Sequence, residues 1–143
     1  MNEAYYHSQI RLKQQEIYRI EDELREKKQD LEELYHFKQE HQQQTFEIRH
    51  NFEARSQKLK RSIVDSKQVK FLTSYTQVMK EMLQEKNKFL DKKEEEQQAV
   101  KQAIIRLTDE IERLKNQRML LNNAVSDLQY DLRKERMKAD VSK

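Results

Sequence analysis

His36 and Glu40 stand one helical turn apart, a spacing that puts an imidazole and a carboxylate on one face of a helix, where together they can hold a metal ion or share a proton. A metal site needs a third protein ligand. The neighbouring His41 and the more distant His50 complete no His-Glu-x-x-His pattern, so the histidines are expected on the surface and no metal site is assigned. Tyr18 and Asp22 repeat the i, i+4 geometry with an aromatic ring and a carboxylate, a pair that a secretion receptor could read from one helix face. The plainer reading is a pair of residues flanking a packing seam.

Other chemistry finds little to work with. The chain of 143 residues has no Cys and no Gly, which removes thiolate nucleophiles, zinc-cysteine clusters, disulfides and the glycine loops that cradle phosphates. Acidic runs such as Glu94, Glu95 and Glu96 read as a solvated face, and catalysis needs a concave, partly dry pocket that narrow helical arms do not offer. The expectation is a protein that is not an enzyme and takes no cofactor. Basic clusters occur at Lys58, Lys60 and Arg61, and again at Arg133, Lys134, Arg136 and Lys138. Asp131 and Glu135 dilute the second, and no aromatic rings interleave, so nucleic acid is not an expected partner.

The elements that carry these residues follow from composition. Gly, Pro and Trp are absent, hydrophobic residues make up 35% and charged residues 38%, and 29 Lys and Arg are interleaved with 26 Asp and Glu to a net charge of +3. Without turn formers and helix breakers, long amphipathic helices with narrow apolar stripes are what remains. No stretch is apolar enough for a secretory signal or a membrane span, so a cytoplasmic location without stable membrane insertion is expected.

A heptad stripe runs through Tyr6, Ile10, Ile17, Ile20, Leu24, Leu31 and Leu34. It crosses the polar stretch Lys38 to Thr45 and resumes in the same phase at Ile48, Phe52 and Leu59. In the second half, Leu72, Met79, Val100, Leu107, Leu114, Leu121 and Leu128 share one seam position, and Leu83, Leu90, Ile104, Ile111, Val125 and Leu132 share the other. Asp91 to Gln98 interrupts this stripe without moving its phase. Lys13, Lys27, Lys86, Lys93, Gln97 and Arg118 are polar members of the two seams, residues that set register at some cost in stability.

The stripes are out of phase with each other, and the shift falls between Leu59 and Leu72, where Asp65 and Ser66 are suited to cap a helix, with Gln68 three residues after Asp65. The pattern predicts an all-α single domain, a long antiparallel helical hairpin with arm one at about 3–64, a turn at about 65–68, arm two at about 69–138 and a frayed C-terminal tail. Each arm would be on the order of 100 Å long at 1.5 Å per residue. Folding about residue 66 sets Lys38 to Thr45 opposite roughly residues 87 to 94, so the two polar interruptions meet. The alternative is a three-helix bundle with turns in the polar stretches, and one continuous helix with a stutter would also shift the phase.

Phe71, Tyr75, Val78, Met82 and Phe89 extend the apolar face of the second arm beyond what one partner helix covers. These five residues are the expected partner-binding surface, open to a third helix from another protein or from a second copy.

The layout of Tyr6, Ile10, Ile17 and Leu24, then Phe52 and Leu59, then Phe71, Leu72, Tyr75, Val78 and Met79, and last the heptad run Ile104, Leu107, Ile111 and Leu114, resembles that of small α-helical helper proteins encoded beside LXG toxins of Gram-positive type VIIb secretion systems. The resemblance extends over most of the chain. It implies a helper, similar to the WXG type, that packs on the helical N-terminal domain of a secreted toxin, promotes its stability and export, and is itself co-secreted in some cases. The chain also resembles the FliJ/YscO type of export chaperone, a coiled-coil hairpin that binds a secretion ATPase. A homodimeric structural tether is a third reading.

Overall fold

The computed structural model describes residues 3–65 and 69–141, with the side chains at 59, 62–73, 75 and 76 outside that description. Two helices pack antiparallel as a hairpin, α1 (Glu3–Asp65) and α2 (Val69–Val141). Among the described residues there is no strand, no cis peptide and no positive φ. Helix α1 continues through Lys38 to Thr45 and α2 through Asp91 to Gln98, so neither polar stretch is a turn and the three-helix arrangement is not needed. Asp65 is the last described residue of α1, and its side chain, Ser66 and Gln68, the expected cap, lie outside the described residues. At the other end α2 reaches Val141, three residues past the expected end of the arm.

The chain forms two compact units. The first comprises residues 1–32 and 105–143. Its seam is apolar and well covered: Ile10 and Ile17 pack with Val125 and Leu132, flanked by Tyr6, Leu121 and Leu128. Ile20 and Leu24 pack with Ile111 and Leu114, flanked by Leu31 and Leu121. Leu24 is the most enclosed side chain of that core, at 2% exposure. Lys27, a polar seam member, donates from Nζ to Glu110 Oε2 across the helix pair. That hydrogen bond raises the Lys27 pKa and lowers that of Glu110. Near the chain ends Arg136 donates from Nε to Glu3 Oε1 at 3.1 Å and lies 3.3 Å from His7 Nε2.

The second unit is residues 33–104. Its seam is built differently. Buried positions here are Ile104, His41 and Thr45, and the half-buried seam includes Lys38, Lys86, Lys93 and Gln97 beside Leu34, Ile48, Phe52, Leu90 and Val100. Leu83, expected in the seam, is 37% exposed.

His41 meets Glu96 in this unit. A fold about residue 66 would set His41 opposite Asp91, so the true partner lies roughly one helical turn further along α2. The offset has a geometric cause. Side chains tilt toward the N-terminus of their own helix, so in an antiparallel pair the α2 residue that reaches a given α1 residue is displaced C-terminally. The two polar stretches still meet.

Candidate partner-docking groove

The second unit contains an apolar groove of about 430 Å³ lined by Ile48 and Phe52 from α1 and by Met82, Glu85, Lys86 and Phe89 from α2. Residues 78, 82, 85, 89 and 92 step by four and three, which stacks them on one face of α2. Val78, Met82 and Phe89 are 52%, 42% and 41% exposed, so this apolar stripe faces solvent beside the seam. The two other residues expected here, Phe71 and Tyr75, lie outside the described side chains.

The groove exists because the seam beneath it is occupied by lysine. Lys86 takes a seam position and its Nζ lies 5.4 Å from the centre of the Phe52 ring. An ammonium over a ring face is attracted by the ring's negative π cloud, but a slender polymethylene stem fills less space than leucine would. Phe52 and Ile48 are therefore only half-covered, and Met82 and Phe89 stay exposed. Lys93 lies 5.5 Å from the Phe89 ring and 3.5 Å from Glu96.

Ile48 and Phe52 were not on the expected docking surface, since their heptad positions read as buried seam. The signal that could have placed them is Lys86, a seam residue too thin to cover an aromatic ring.

The histidines behave unequally. His36 pairs with Glu40 at 3.1 Å on an exposed face, as its spacing suggests, and no group of three metal-ligating side chains occurs among the described residues. His41 corrects the expectation of surface histidines. It is 5% exposed, its Nε2 lies 3.0 Å from Glu96 Oε2, and its Nδ1 is buried without a hydrogen-bond partner. The reason is phase, because His41 follows Leu34 by one heptad and precedes Ile48 by another. Thr45 stands one helical turn further on and donates from its hydroxyl to the His41 carbonyl at 2.8 Å. Glu96 likewise leaves the solvated face assigned to Glu94 and Glu95, and its hydrogen bond with His41 lowers its pKa.

Tyr18 is 63% exposed, and Asp22 beside it on the same face is ion-paired to Arg25 at 3.6 Å. Both belong to the first unit, away in sequence from the groove. No described helix is long and apolar enough to cross a membrane. No family model, curated protein or solved structure matches the chain.

Proposed function

We propose that this chain is a non-enzymatic binding protein whose groove receives a helix of a larger helical partner. The observation that carries this reading is one groove in which half-buried Ile48 and Phe52 from α1 lie beside exposed Met82 and Phe89 from α2. An amphipathic helix laid along it would bury the stripe by presenting residues at i, i+3, i+4 and i+7. Burial of that stripe supplies the affinity, and the lysines at its edge limit which partners fit.

In the resemblance to LXG-associated helpers, that partner is the helical N-terminal domain of an exported toxin. Covering the toxin's own apolar stripe keeps it from aggregating and holds it ready for a type VIIb machine, with the helper leaving the cell beside it. Co-expression with the LXG protein of a neighbouring gene tests this. The wild-type chain should co-purify with it, and Met82→Ser with Phe89→Ser should abolish capture while helicity by circular dichroism persists. Capture that survives the double substitution sinks the groove as the docking surface. Retention of a hexameric ATPase in place of a toxin would move the chain to the FliJ-like reading.

A further inference from the structure

We infer that the hairpin opens in two stages: residues 34–56 and 79–100 part from each other as one unit while residues 10–31 and 107–132 stay paired. Nothing in this opening requires a partner in the groove.

The two units close their seams with different materials. In the first, Ile10, Ile17, Ile20 and Leu24 of α1 are buried with Ile111, Leu114, Val125 and Leu132 of α2, and each removes most of its apolar area from water. In the second, apart from Ile104, the last residue of the unit, the buried side chains among those described are His41 and Thr45, both polar. Polar seam members occur in the first unit too, but Lys13 stands between buried Ile10 and Ile17. In the second unit they follow one another. Lys38, His41 and Thr45 are consecutive in the α1 seam, Lys93 and Gln97 are consecutive in the α2 seam, and the hydrogen bond between His41 and Glu96 sets these runs side by side. A lysine contributes its stem to such a seam and little more, because the ammonium stays hydrated at the edge. The buried His41 Nδ1 lacks a hydrogen-bond partner, a cost that parting the helices relieves by admitting water.

Two features confine the opening to this stretch. Seam side chains in a helix pair reach only partners at about their own height, so a weak stretch can part while a strong one holds. The parted helices also keep support of their own. Gln, Glu and Lys, good helix formers, fill most of residues 38–45 and 91–98, and His36 with Glu40 and Lys93 with Glu96 are pairs within one helix. Opening turns the half-covered seam into two separate apolar stripes, Leu34, Ile48 and Phe52 on α1 and Met79, Leu90 and Val100 on α2.

Hydrogen exchange of the intact chain, read by mass spectrometry at fixed pH and temperature, tests this. Relative to their intrinsic rates, amides of 34–56 and 79–100 should exchange about tenfold faster or more than those of 10–31 and 107–132. Lys86→Leu with Gln97→Leu, both on α2, should slow exchange on both helices of the weak stretch, 34–56 included, because one opening frees both. Leu24→Ala should speed exchange in 10–31 and 107–132 and leave 34–56 and 79–100 at wild-type rates, because the first unit stays closed while the second opens. Equal protection in the two stretches, a slowing confined to α2, or acceleration of 34–56 by Leu24→Ala overturns the inference. None of these readings involves a binding partner, so each is separable from the fate of the docking groove.

Discussion

His41 Nε2 lies 3.0 Å from Glu96 Oε2, and this pair carries the seam of the second unit through the two polar stretches. A buried imidazole is an expensive seam residue. Its Nδ1 has no hydrogen-bond partner among the described residues, and the Phe37 ring, tilted by 32° at a centroid distance of 5.8 Å, supplies none. What such a layer provides is register, since sliding the helices by a heptad would break the pair and bury a lone imidazole against apolar surface.

Replacing His41 with Leu should therefore stabilise the hairpin, by about 1–2 kcal/mol, because an orphaned buried polar atom is exchanged for apolar contact and Glu96 keeps Lys93 and water. Thermal unfolding followed at 222 nm would show a higher midpoint. A lower midpoint would mean that the hydrogen bond to Glu96 outweighs the orphaned nitrogen.

The hairpin should weaken at both ends of the pH scale, for opposite reasons. Hydrogen bonds from His41 and Lys27 hold the Glu96 and Glu110 carboxyls below their ordinary value of 4.5. Their contribution is present above pH 4.5 and is lost as pH falls through the depressed values. The hydrogen bond to Glu110 raises Lys27 above 10.5, so its contribution is present below that pH and is lost as pH rises through the elevated value. Glu110→Gln should flatten the alkaline fall in melting temperature and leave the part of the acid fall that belongs to Glu96. An unchanged alkaline limb in that variant would detach Lys27 from it.

Much of this fold is legible before any coordinates, because two helices without glycine or proline can hide only one stripe each and the stripe is periodic. Ile10, Ile17, Leu24, Ile111 and Leu132 are read as seam from spacing alone and are buried. His41 is missed because residue type suggested the surface while position dictated the seam, and in a coiled coil position prevails. The groove is half legible. Val78, Met82 and Phe89 betray themselves as surplus apolar residues, whereas Ile48 and Phe52 look like ordinary seam until Lys86 is recognised as a poor cover. Leu83 reverses the error, since its phase reads as seam but its side chain is exposed.

Leu24 and Leu12 offer a matched test of the seam in the first unit. Leu24 is 2% exposed within the cluster of Ile20, Ile111 and Leu114, while Leu12 is 51% exposed. Leu24→Ala should cost about 2–4 kcal/mol by urea unfolding, the transfer term plus the cavity left behind. Leu12→Ala should stay within about 0.5 kcal/mol. Equal costs at the two positions would contradict the phase of the α1 stripe.

The antiparallel register itself can be read chemically at Lys27 and Glu110. Their side chains are hydrogen-bonded across the helices and remain partly exposed, so a zero-length carbodiimide reagent can convert the carboxylate to an O-acylisourea, from which the amine expels the urea and forms an amide. Mass spectrometry of a tryptic digest should find the peptides containing Lys27 and Glu110 joined. Lys27→Gln should abolish the link, whereas Lys28→Gln, one residue further round the same helix and exposed, should leave it in place. Because a second copy could supply either partner, the cross-link is to be sought in an equal mixture of isotopically heavy and light chain. A link formed within one hairpin keeps heavy with heavy and light with light. Mixed pairs in statistical proportion would instead mean that α1 and α2 of different chains pair, and the fold would be an exchanged dimer of open helices.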